Sequence, residues 1–96
     1  MEIRVLDIRL LPGNRVTRAF ADISLGEITI RDFRVLQSNG RPYVKAPFQT
    51  YKNAAGEIQF KQIIDLPDEV RGQVDTAILG AFYRKRENES DNRESK

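Results

Sequence analysis

The chain has 96 residues, with 16 Lys/Arg against 14 Asp/Glu for a formal net charge of +2, and it contains no histidine and no cysteine. Without cysteine there are no disulfides and no thiolate metal sites, and without histidine the commonest general base and the commonest transition-metal ligand are missing. The length suits one domain, no apolar run approaches the about 20 residues of a membrane helix, and the first residues do not read as a signal peptide.

Charge is unevenly placed. Residues 1–86 hold 14 Lys/Arg against 10 Asp/Glu, a net of +4, while residues 87–96 hold two against four, a net of −2. Most of the basic groups are arginine, whose planar fork suits phosphate and carboxylate alike. An anionic partner is therefore allowed by the charge but not required by it.

In chain order, residues 3–11 alternate, with Leu6, Ile8 and Leu10 on one side and Asp7 and Arg9 on the other, as in a half-buried strand. Pro12-Gly13-Asn14 is a turn. Residues 15–25 put Ala19, Ala21, Ile23 and Leu25 on one face, and Gly26 breaks the run in a short hairpin. Residues 28–36 change phase at Arg31-Asp32, which predicts a bulge or sharp twist there, or else a strand covered on both sides. Asn39-Gly40 supplies the positive φ of a tight turn, and the run 43–48 follows, with Pro47 ending it or lying on an edge. Residues 49–56 read as a polar, mobile loop and residues 57–64 as a fifth strand.

Pro67, Asp68 and Glu69 open a helix, the acids at the positive end of its dipole. Val70, Val74, Ala77, Ile78, Ala81 and Phe82 form its apolar stripe, and Arg84-Lys85-Arg86 close it. Gly72 and Gly80 inside it each cost roughly 0.5–1 kcal/mol relative to alanine. After Arg86 no apolar residue remains. The expected fold is α+β, a five-stranded, mainly antiparallel meander with one C-terminal amphipathic helix packed on one face. It comprises a single domain over residues 1–86 and a disordered polar tail over 87–96.

Two basic regions are candidate sites. Arg84-Lys85-Arg86 could grip phosphates from the helix end, with Arg71 extending the stripe; dipole complementarity and solubility account for the same residues. Arg31, Arg34, Arg41, Lys45, Lys52 and Lys61, interleaved with Tyr43, Phe48 and Tyr51, resemble a stacking-plus-phosphate surface, although edge strands also carry lysine to prevent aggregation. Asp65, Asp68 and Glu69 are explained by capping and dipole effects, so no metal site is assigned. There is no phosphate loop, no metal-spaced cluster and no nucleophile–base pair, so no catalytic residue, cofactor or small-molecule substrate is expected.

The ordered set Asp32-Phe33-Arg34-Val35, Gly40, Tyr43-Val44, Ala46-Pro47 and Gly56-Glu57, followed by a helix ending near Tyr83, resembles the SpoVG family (stage V sporulation protein G) over most of residues 1–84. The chain departs from that pattern at Arg31, at Pro47-Phe48-Gln49-Thr50-Tyr51-Lys52 and at Ile64-Asp65-Leu66-Pro67. The resemblance implies a small cytoplasmic homodimer that binds DNA and RNA and acts in sporulation, septation or gene regulation. It points to Arg71, Arg84, Lys85 and Arg86, with Lys52 and Lys61, as the nucleic-acid contacts, and to a dimer formed through sheet edges. Asp32 and Arg34 then read as scaffold, an ion pair at the bulge. The alternative is a protein-interaction module that docks a division or regulatory partner without nucleic acid.

Overall fold

The strand that organises the molecule is the second, because its alternation separates two unlike surfaces. The computed structural model describes residues 2–13 and 15–94; Asn14 of the expected turn and the last two tail residues lie outside them. Its elements are β1 (Ile3–Leu10), β2 (Thr17–Leu25), β3 (Ile28–Leu36), β4 (Tyr43–Lys45), β5 (Phe48–Lys52), β6 (Ile58–Gln62) and α1 (Asp68–Glu94). The first four strands form an antiparallel sheet in the order β1-β2-β3-β4, and β5 pairs only with β6 in a second, two-stranded sheet.

Ala19, Ala21, Ile23 and Leu25 of β2 all face the helix and are buried. The two alanines leave room for Val74, Ile78 and Phe82 of α1, which are also buried. Ile8, Phe33 and Val35 complete this core from the flanking strands. The predicted helical stripe is therefore the one that packs, with Val70 and Ala81 at its margins. The Pro67 carbonyl accepts the Arg71 N–H at 2.8 Å, so Pro67 stands just before the first helical residue. No helix among the described residues is long and apolar enough to cross a membrane.

The bulge expected at Arg31-Asp32 is present. Ala21 pairs with Phe33 and Ile23 with Ile30, so Arg31 and Asp32 together face the single residue Asp22. Asp32 takes the strained left-handed conformation, φ 67°. A second bulge corrects the reading of β1. Val5 pairs with Ile23 and Asp7 with Asp22, which leaves Leu6 as an extra residue. The insertion inverts the alternation, so Ile3 and Val5 pack against the core while Leu6, expected on the face of Ile8 and Leu10, is exposed.

The single five-stranded sheet is also corrected, to six strands in two sheets. Backbone pairing with β3 stops at Lys45, and the chain leaves the sheet at Ala46-Pro47, where proline has no N–H to donate. Phe48 then opens β5, which occupies much of the stretch read as a loop. That segment looked polar because this hairpin covers little core, and four of its five residues are exposed. Its tip is built by Asn53, whose Oδ1 accepts the N–H groups of Ala55 and Glu57, both at 3.0 Å. Helical backbone continues past Arg86 to Glu94, into the segment whose composition suggests a disordered tail, so Arg84-Lys85-Arg86 stand within the helix and do not close it as expected.

Candidate nucleic-acid interface

On the sheet face away from α1, four side chains stand in one line across all four strands. Arg9 pairs in register with Phe20, Phe20 with Arg34, and Arg34 with Lys45. Strands lie about 4.8 Å apart, so the row crosses the sheet in about 15 Å. The Arg34 guanidinium carbon lies 5.4 Å from the Phe20 ring centre and 4.4 Å from that of Phe48. Lys45 Nζ lies 4.7 Å from Phe48 and 5.3 Å from Phe60, and the two rings meet edge to face at 5.5 Å. Each cation is thus held against aromatic faces rather than a carboxylate, an attraction worth about 0.5–1 kcal/mol where solvent reaches it.

The Arg9 end of the row is different in kind. Asp22 is buried in the bulge, and Arg9 grips it with both terminal nitrogens at 2.9 and 3.2 Å. The Asp32 N–H donates to the same carboxylate at 3.1 Å, and Arg31 reaches it at 3.4 Å. Arg9 therefore holds the Asp22 carboxyl below the usual carboxylate range, overcoming the burial that pushes it up. Asp22, helped by Asp7, in turn pushes the Arg9 guanidinium up. Arg9 also bonds Asp7 at 2.7 Å and Asp32 at 3.2 Å. Three carboxylates thus surround two guanidinium groups, leaving no surplus positive charge for a phosphate. The expected Asp32–Arg34 ion pair is replaced by Asp32–Arg9, because the bulge turns Asp32 toward β1.

The residues named from sequence fall into three places. Arg71 is exposed near the start of α1 and pairs with Asp68 at 3.3 Å. Arg84, Lys85 and Arg86 follow 13 to 15 residues later in the sequence, about 20 Å farther along the axis. Arg84 and Lys85 line a shallow depression along the free edge of β1, beside Leu6 and Asp7. The Arg86 guanidinium carbon rests 5.1 Å from the Phe82 ring centre, in a separate depression that also contains Arg18 and Glu89. All three are exposed, and among the described residues none forms a salt bridge.

Lys52 and Lys61 lie on the β5–β6 hairpin, on opposite faces. Lys52 shares a face with Phe48 and Thr50, whereas Lys61, opposite Gln49, shares the other with Tyr51 and Gln59. The basic cluster of α1 and the two hairpin lysines do not form one site.

Two features escaped the sequence reading. Arg18 points a guanidinium nitrogen at the Gly13 carbonyl, 3.3 Å away, and reaches the Arg86 depression, a meeting that depends on how the helix lies across the β1–β2 turn. Phe20 is the second, its place between Arg9 and Arg34 depending on strand register. Among the described residues, no group of three or more acidic side chains is arranged to hold a metal ion. No protein-family model matches the chain, and no curated protein matches it.

Proposed function

We propose that this chain is a nucleic-acid-binding regulatory protein of the SpoVG type, a cytoplasmic homodimer that engages DNA and RNA through phosphate contacts in sporulation, septation or gene regulation. The observation that carries the reading is the basic cluster on α1, two turns before the helix ends. Arg84, Lys85 and Arg86 are exposed and free of carboxylate partners among the described residues. They lie about two turns before α1 ends at Glu94, too far inside for the dipole of the last turn to account for them, and Arg86 shares its depression with a further arginine, Arg18. Arg71 is a weaker contact because it already shares Asp68. Lys52 and Lys61 can serve the same strand only if it wraps the hairpin, since they face opposite ways. No catalytic residue, cofactor or small-molecule substrate enters this reading.

Dimerisation through sheet edges is supported by what the hairpin exposes. Ile58 is 64% exposed and Ile63, just past β6, is 57% exposed. Large apolar groups gathered on one projecting hairpin suit burial against another chain. The same feature favours a second reading, a protein-interaction module that docks a division or regulatory partner and needs no nucleic acid.

Gel shifts with DNA and RNA over a salt series test the first reading. Affinity should fall steeply with salt, with a slope of roughly −0.9 per phosphate neutralised on duplex DNA. Reversing the charge of Arg84, Lys85 and Arg86 together should weaken the duplex shift strongly. A partner pull-down that survives nuclease treatment and that same reversal would transfer support to the second reading.

A further inference from the structure

We propose that the face opposite the helix is a second, distinct nucleic-acid site, a platform on which the bases of a single strand stack. The proposal rests on the nucleic-acid reading above but not on Arg84, Lys85 and Arg86. An open groove of about 990 Å³ lies between this face and the base of the β5–β6 hairpin. Phe20, Arg34 and Phe48 line it, and Lys45 and Phe60, outside the groove, continue the same contact chain from Phe48.

Three properties point to a single strand. First, cations and rings alternate along the contact chain Phe20–Arg34–Phe48–Lys45–Phe60, so each cation has a ring on either side. Second, Arg34 and Lys45 form no salt bridge among the described residues, so a phosphate can take up either without breaking an ion pair. The neighbouring Arg9 and Arg31 differ, being committed to Asp22. Third, the rings are accessible, with Phe48 half-buried and Phe60 64% exposed. A duplex hides its base faces in its own stack and would leave these rings unused, whereas an unpaired base offers a π-face to any ring it meets. A sheet about 15 Å across accommodates about two or three bases. The neutralised Asp22 cluster ends the positive row at β1 and fixes the strand that carries Phe20.

The test is fluorescence anisotropy at low salt with labelled oligouridylate and oligodeoxythymidylate of about ten nucleotides, and with a duplex of equal length. The proteins are the wild type, Phe60→Leu, the pair Phe48→Leu with Phe60→Leu, and the triple reversal Arg84→Glu, Lys85→Glu, Arg86→Glu. Leucine keeps the apolar volume and removes the ring, and Phe60 is too exposed for its loss to unfold the chain. The expected result is about tenfold or greater weakening toward both single strands in the ring pair, a smaller loss in Phe60→Leu, and unchanged duplex binding. The triple reversal should weaken duplex binding most.

If the wild type binds but the ring variants lose nothing, or lose single strand and duplex alike, the platform is overturned while the nucleic-acid reading stands. If the wild type binds neither form, both fail together. Sedimentation of Phe60→Leu closes the remaining route. Loss of single-strand binding that merely follows conversion to a monomer would make this face an interface between copies and overturn the platform.

Discussion

The two faces of the four-stranded sheet use the same strands for opposite ends. Toward the helix, Ala19, Ala21, Phe33 and Val35 are sealed against Val74, Ile78 and Phe82, with no ionisable group among the buried core residues. One residue along in each strand, the outer face carries Phe20, Asp22 and Arg34, a buried ion cluster at one end and ring-held cations at the other. The inner face derives its stability from apolar area removed from water. On the outer face, geometry matters more, because a buried carboxylate is tolerable only while its donors remain in place.

That contrast predicts a ranking. Phe82→Ala should cost about 3–5 kcal/mol, enough to unfold much of a domain this size, read from denaturant midpoints. On the outer face, Arg9→Met should come next, at about 2–3 kcal/mol, because it leaves Asp22 buried with only Arg31 and one backbone N–H. Asp22→Asn should cost less, since the half-exposed Arg9 retains Asp7, Asp32 and water. A larger loss for Asp22→Asn than for Phe82→Ala would invert the comparison.

The Asp22 pair also has a pH signature. Its folded pKa lies below the unfolded value of about 3.9. The stabilisation is therefore complete well above that pH and is lost as pH falls through the lower folded value. Urea titrations across the acid range should show a limb that Asp22→Asn flattens. Asp75 has the opposite sign, because burial pushes its carboxyl up despite Arg71. Its charged form costs stability at neutral pH, and that cost is relieved as pH falls through its raised folded value, so Asp75→Asn should be neutral or slightly stabilising at pH 7.

Smaller effects come from backbone. Asp32 holds φ 67°, where glycine is unstrained and a β-branched residue is not. Asp32→Gly should be at least as stable as the wild type, its exposed pair with Arg9 being worth little, while Asp32→Val should lose about 1–2 kcal/mol. At the helix, a methyl group at Gly72 meets nothing within 4 Å, and at Gly80 only the movable Arg84 side chain at 3.4 Å. The two glycines are therefore not required for close packing. Gly72→Ala and Gly80→Ala should each raise stability by roughly 0.5–1 kcal/mol, measured as a higher Tm.

Elements that meet the core were readable from the chain because burial imposes a period. The helix stripe, the inward run of β2 and the phase change at Arg31-Asp32 all carry that mark. Leu6 was misplaced because a bulge in β1 has no composition of its own; only pairing with Asp22 and Ile23 reveals the extra residue. β5 was missed for the opposite reason. Its hairpin buries little, so no apolar alternation announces it, and Asn53 and Gly56 looked like loop rather than turn. Of the candidate contacts, the cluster at Arg84–Arg86 was legible because it is contiguous, whereas the Arg9–Phe20–Arg34–Lys45 line draws one residue from each of four strands.

The most direct test of nucleic-acid binding is the salt dependence of affinity for one duplex and one single strand, in the wild type and in the Arg84, Lys85, Arg86 reversal. The account predicts a linear fall of log Kobs with log salt, about −0.9 per phosphate on duplex and −0.7 on single strand, and a shallower slope in the variant. Binding that ignores salt, or no binding to either form at low salt, would contradict it.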